Sequence, residues 1–151
     1  MKKKRQSGFT LVEVLIVVVI MAILAAAIIP QFSDSSNDAK MGTAEFNWHT
    51  LKAQIELYKS QHDGVRPTTL SQLTITTNAA GTTDVAAGPL VYGPYISDLP
   101  VNPWNNSATE VAATAAPTAY SATDGWYYKS TTGELWIAGK EGGTFKLVGD
   151  E

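Results

Sequence analysis

No cysteine occurs among the 151 residues. That excludes disulfides, thiolate metal sites and thiol nucleophiles. Small exported domains often lean on disulfides, so this chain must rely on packing, for which four tryptophans and six tyrosines are available. Histidine is scarce as well. His49 and His62 lack the i, i+3 or i, i+4 spacing of a helical metal pair, and both read as surface residues. Glu45 shares a helix face with His49, but two such groups do not make a metal site. Gly139-Lys140 has neither the spacing nor the following Ser/Thr of a phosphate loop. No motif frames a Ser, His or Asp as a nucleophile or its base, so the sequence does not read as an enzyme. Charged residues make up only 17% of the chain and sum to −3. Nothing in that balance suggests a basic surface for nucleic acid.

Long apolar runs are not lacking. From Leu11 to Ile29 every residue is apolar except Glu13, and Lys2, Lys3, Lys4 and Arg5 stand just before. As a helix, Phe9 to Ile29 is about 31 Å long at ~1.5 Å per residue, which matches a hydrocarbon core of roughly 30 Å. Two ordinary readings compete for it. A secretory signal peptide would have a basic start, an apolar middle and a small-residue cleavage site, for which Ala25-Ala26-Ala27 would serve. A plain membrane anchor would account for the length. Neither has a use for Glu13. An acid inside a membrane helix costs on the order of 2.5–3.5 kcal/mol even on insertion scales, and such groups are kept for a function. Under every reading the basic leader stays cytoplasmic and the C-terminal part is exported.

The stretch Gly8-Phe9-Thr10-Leu11-Val12-Glu13 resembles the cleavage-and-assembly motif of the type IV pilin superfamily, which includes the pseudopilins of type II secretion. Pro30 at the end of the run also matches. The resemblance implies that a prepilin peptidase cuts between Gly8 and Phe9 and methylates the new amine of Phe9. It implies that the apolar helix stays on the mature protein as filament core, and that Glu13 meets the Phe9 amine of a neighbouring copy. Removing residues 1–8 would leave seven cations against 14 acids, a side-chain charge of −7.

Residues 31–38, Gln-Phe-Ser-Asp-Ser-Ser-Asn-Asp, are poor helix formers. Continuation of the helix is still the preferred reading over a loop, because a strong pattern begins at once. Met41, Ala44, Trp48, Leu51, Ile55 and Tyr58 form one apolar stripe, with Lys40, Glu45, His49, Lys52, Glu56 and Lys59 opposite. The stripe reads as packing on the protein's own head rather than as a coiled-coil seam. Gly64 suits a helix-ending left-handed position. If 9–62 is one helix broken only at Pro30, it is about 80 Å long, a rod that suits a filament subunit sharing its apolar half with others.

Residues 65–73 read as a turn and a short helix, with Thr69 and Gln72 at capping-box spacing. Residues 74–89 and 105–123 are rich in Thr, Ala, Asn and Gly and read as loops. Between them, Gly93-Pro94-Tyr95-Ile96-Ser97-Asp98-Leu99-Pro100-Val101-Asn102-Pro103-Trp104 resembles a stretch of the major, G-type pseudopilins. Its three prolines predict a rigid non-helical strap, anchored by Tyr95, Ile96, Leu99 and Trp104. The C-terminal part predicts antiparallel strands at 126–129, 134–138 and 144–148, with a turn at 130–133 and with Gly142-Gly143 before the last strand.

The fold class expected is therefore α+β, a pilin-like lollipop: a long N-terminal helix, membrane-spanning in its first half, with its second half packed on a small antiparallel sheet. The divisions expected are a leader over 1–8, a membrane and filament-core helix over 9–30, an amphipathic helix over 31–62 and a head over 63–151. Residues 93–104 favour a type II secretion pseudopilus subunit, a structural protein that assembles into a filament driving protein export. The second reading is a type IV pilin of a surface fibre for adhesion, twitching or DNA uptake. A third is a membrane-anchored binding module using Trp126, Tyr128 and Trp136 as an aromatic platform, although such alternation more often faces a core. The resemblance implies as partners other copies of the chain, the peptidase, an assembly platform, minor pseudopilins and the bacterial inner membrane, with the head periplasmic. It implies no organic cofactor. G-type pseudopilins commonly bind calcium through an acidic C-terminal loop. Here Asp124, Asp150 and Glu151 are the nearby acids, and no ligand is assigned, since calcium needs six to eight oxygens.

Overall fold

A computed structural model describes residues 8–89, 91–141 and 144–150. The leader residues 1–7, Leu90, the Gly142-Gly143 pair and Glu151 lie outside the described residues. Helix α1 spans Leu11–Gln61. The helical assignment runs through Pro30 and through 31–38. By compactness the chain divides into Met1–Asp38 and Ala39–Glu151.

In the first unit, Leu11–Ile29 is a 19-residue apolar span of mean hydropathy 3.2, and none of it is buried. Glu13 is its one polar residue, so no polar face runs along it to set a direction in which to pack.

The second unit has a core. Ala44, Leu51, Ile55 and Tyr58 of α1 are buried with Leu70, Leu73, Trp126, Tyr128, Leu135, Ile137 and Val148, and Met41 and Trp48 pack half-buried against them. The predicted stripe is thus the face that meets the sheet. Trp48 Nε1 donates to Leu135 O at 2.8 Å. The stripe also runs one step further than expected. His62, four residues past Tyr58, is buried, which corrects its reading as a surface residue. It is kept there by bonding: its ring stacks on Tyr58 with centroids 3.8 Å apart, and its two nitrogens meet Tyr58 O at 2.7 Å and Thr77 Oγ1 at 3.0 Å. The helix then ends with Asp63 and Gly64 both left-handed, and Gly64 N–H bonds Lys59 O at 2.9 Å, a Schellman-type closure.

Leu70–Thr74 forms a 3-10 turn rather than an α-helix. The strap 93–104 lies as predicted, with Tyr95, Ile96, Leu99 and Trp104 half-buried on the core. Its Gly93-Pro94 bond is cis.

The sheet has four strands in the order β1 Glu110–Ala112, β2 Trp126–Lys129, β3 Glu134–Glu141 and β4 Thr144–Gly149. β2, β3 and β4 pair antiparallel, as expected. β1 pairs parallel to β2, so the sheet is mixed, and the loop assigned to 105–123 contains a strand. Three residues carry no period of their own. β1 forms because Thr109 O accepts from both Gly125 N and Trp126 N, and Ala113 N donates to Tyr128 O at 2.9 Å. Gly125 permits this approach, since a Cβ there would overlap the backbone of Ser107 and Ala108.

Alternation along β2 and β3 puts Trp126, Tyr128, Leu135 and Ile137 on the face toward α1. Trp136 is buried on the other face, only 3% exposed. A Cβ on its cross-strand neighbour Gly149 would overlap the indole, so the glycine makes room for the ring.

Candidate functional site

The residues singled out near the N-terminus, Gly8, Phe9 and Glu13, fall within six consecutive positions at the start of α1. Gly8 is exposed, and a Cβ on it would meet nothing within 4 Å. Phe9 is 85% exposed. Thr10 precedes the first helical residue, Leu11, and acts as the N-cap. Its Oγ1 accepts Glu13 N–H at 3.2 Å. In return Glu13 Oε2 accepts both the Thr10 N–H and the Thr10 hydroxyl at 2.8 Å. This is a reciprocal capping box, and it fixes the Glu13 carboxylate at the mouth of the helix, where orphan N–H groups and the helix dipole favour an anion. The Thr10-Leu11-Val12-Glu13 spacing would have revealed it in the sequence. Both bonds go to Oε2, and among the described residues no hydrogen bond reaches Oε1.

The aromatic platform does not exist as a surface. Trp126 and Tyr128 are buried toward α1 and Trp136 is buried on the opposite face. Their polar ends are spent on backbone carbonyls: Trp126 Nε1 on Pro100 O at 2.7 Å, Tyr128 OH on Pro67 O at 2.9 Å and Trp136 Nε1 on Asp150 O at 2.6 Å. This removes the geometric basis for a binding module built on them.

Several charged groups of the second unit are also spent on structure. Lys52 Nζ reaches Asp150 Oδ2 at 2.9 Å and Gly133 O at 3.0 Å, and Asp150 Oδ2 accepts Leu135 N–H at 2.8 Å. Lys129 pairs with Glu134 at 2.7 Å. Glu110 Oε2 accepts Leu70 N–H at 2.8 Å. Burial pushes the Glu110 carboxyl above its usual range, against the pull of the Leu70 and Ser71 N–H groups. At Asp124, burial pushes upward, but bonds from Thr123, Tyr127 and Ser121 hold the carboxyl below its usual range. His49 is exposed, its ring edge-on to Trp48 with centroids 4.7 Å apart.

The calcium expectation can be tested on donors. Among the described residues no three His, Asp or Glu side chains gather. Asp124 carries the acidic group of the loop before β2, and it already accepts from the Thr123 and Tyr127 hydroxyls at 3.0 Å. Asp150 is held by Lys52 and Leu135, and Glu151 lies outside the described residues. Asp124 supplies one carboxylate, already engaged, so an ion that takes six to eight oxygens would have to draw the rest from carbonyls of the loop.

Comparison with known proteins bears on both units. Residues 3–29 match the family described as the prokaryotic N-terminal methylation motif. The chain is 36% identical over 108 residues to the type II secretion system core protein G of Aeromonas hydrophila, covering 70% of this chain and 73% of that protein. It is 32% identical to the protein of the same name from Pseudomonas aeruginosa, with the same coverage. Against that of Vibrio cholerae it is 36% identical over 107 residues, 70% of each chain. No solved structure matches it.

Proposed function

The chain belongs to the type II secretion system core protein G family, and from that premise we propose how its residues serve a pseudopilin. It is a pseudopilin subunit with an N-terminal methylation motif and an apolar helix that anchors it in a membrane. On our reading the membrane is the inner one, with the basic leader cytoplasmic and the head periplasmic. A prepilin peptidase cuts between Gly8 and Phe9 and methylates the Phe9 amine. Copies then join through an assembly platform, with minor pseudopilins, into the pseudopilus. We read the role as structural rather than enzymatic, in keeping with the secretion-system family to which the chain belongs.

The observation that carries this reading is the state of Leu11–Ile29. Eighteen apolar residues and Glu13, none of them buried within the chain, must be covered by lipid or by other copies. The acid has Oε2 committed to Thr10, and among the described residues no hydrogen bond reaches Oε1. After cleavage the amine of Phe9 is a cation at the edge of an apolar medium. Each charge alone is costly there, and together they offset each other's desolvation. The helix keeps the two apart within one subunit, whereas a staggered neighbour brings its amine to Oε1. The pair then sets register as well as neutralising charge.

Glu13→Ala tests this. Insertion should be intact or improved, since a charge is removed, and cleavage largely intact, since the scissile bond is unchanged. Filaments should be lost. Membrane fraction, intact mass and filaments are assayed separately with the wild-type machinery, and normal filaments would overturn the role given to Glu13.

A further inference from the structure

The strap and the loop before β2 are joined by side-chain amides in an arrangement the pseudopilin role does not require. Asn102 and Asn105, three residues apart, each close an Asx turn onto the residue two further on. Asn102 Oδ1 accepts Trp104 N–H and Asn105 Oδ1 accepts Ser107 N–H, both at 3.0 Å. Those acceptor bonds fix which end of each amide is oxygen. The NH2 groups therefore point the other way, into carbonyls. Asn105 Nδ2 donates to Ser121 O at 3.0 Å and to Asp124 O at 2.7 Å. The fully buried Asn102 donates to Ala138 O at 2.8 Å. Ser107 Oγ donates to Thr123 O, and Ser121 Oγ accepts Thr123 N–H and Asp124 N–H at 3.3 Å.

The carbonyls of Ser121, Thr123 and Asp124 and the Asp124 carboxylate are oxygens that converge on one short loop. Left unpaired they would invite a hard cation. Here each accepts from a neutral donor. We propose that the Asn105 amide, with Asn102 and Ser107 beside it, holds this loop in place of a divalent cation, so that the head folds and keeps its stability without calcium. Asp124, the acid of this loop, anchors the Thr123 and Tyr127 hydroxyls within the same clamp.

The test is thermal unfolding of the full chain in detergent micelles, followed by tryptophan fluorescence. Trp48, Trp104, Trp126 and Trp136 all belong to the second unit. An ion that binds only the folded form raises its apparent stability, so wild-type midpoints in millimolar calcium and in EGTA should agree to within about 1 °C. Asn105→Ala should lower the midpoint by about 5 °C under both conditions, the loss of a donor from two part-buried carbonyls. Asn105→Asp keeps the shape and the Ser107 bond but faces an oxygen to those carbonyls, so in EGTA it should fall at least as far as Asn105→Ala. A wild-type midpoint several degrees lower in EGTA would overturn the proposal without any variant. So would Asn105→Ala or Asn105→Asp as stable as wild type in EGTA.

Discussion

Two stretches of helix α1 teach different things. Leu11–Ile29 is apolar on every side and has no buried residue. The stretch from Met41 to His62 has apolar groups on one side, and those groups are the core. Secondary structure is the same, but the partner differs. A helix with one stripe states where its own chain will cover it. A helix apolar all round states that something outside the chain must. Glycines of the two units meet different surroundings. A Cβ on Gly8, in the first unit, would meet nothing. One on Gly139 would overlap the Trp104 ring, and one on Gly125 the backbone of 107–108. In the first region only a partner can object to a substitution, and in the second the fold objects by itself.

The largest expected effect breaks the first region without touching its fold. Gly8→Val has open space around it, yet a peptidase that approaches this backbone closely has no room for a branched side chain. The variant should remain entirely uncut while membrane insertion and head unfolding stay at wild-type levels. Intact-mass analysis reads the outcome. A mature N-terminus at Ile28 instead would favour removal of a secretory signal.

A matched pair of leucines sharpens the comparison at intermediate size. Leu51 is fully buried, whereas Leu15 is more than half exposed. Leu51→Ala should cost about 2–5 kcal/mol of head stability. Leu15→Ala should cost less than about 0.5 kcal/mol in the same urea titration, because it removes no contact within the chain. Equal losses would dissolve the distinction between the two stretches.

How much of this was legible depended on the distance over which each element is specified. The Met41–Tyr58 stripe and the strands 126–129 and 134–138 could be read because their periods lie within a few consecutive residues. The strap could be read because proline restricts its own φ. Strand β1 could not, because Glu110–Ala112 is held by the backbone of residues 125–128, far along the chain. His62 was misplaced because a polar residue on an apolar face is decided by its partners, and Thr77 comes 15 residues later. The partners of Asn102 in the strap and Asn105 in the loop were not legible, since nothing local says which carbonyls their amides meet. The Thr10–Glu13 capping box is fully local, and its spacing is visible in the sequence.

The smallest effect expected belongs to Glu110, which sits at the opposite extreme from Glu13: an acid inside the folded head rather than at the mouth of an uncovered helix. Its carboxylate accepts Leu70 N–H from the 3-10 turn, and burial raises its pKa despite that bond. A raised acid pKa means that the folded chain holds the proton more readily than the unfolded one. Stability from this group is therefore fully present below the unfolded pKa and is lost as pH rises through the folded pKa. Asp124 and Glu134, both shifted downward, act with the opposite sign and favour the fold above their ordinary range. Glu110→Gln keeps an acceptor for Leu70 and removes the charge. Relative to wild type it should gain stability between pH 4.5 and 7, by less than about 1 kcal/mol because the group is only half-buried and solvent screens it. The two chains should be nearly equal at pH 4, where wild-type Glu110 is protonated. Urea midpoints for both at pH 4 and pH 7 measure the difference. A variant that loses ground as pH rises would mean that the charged carboxylate, through its bond to the turn, stabilises the head more than its burial costs.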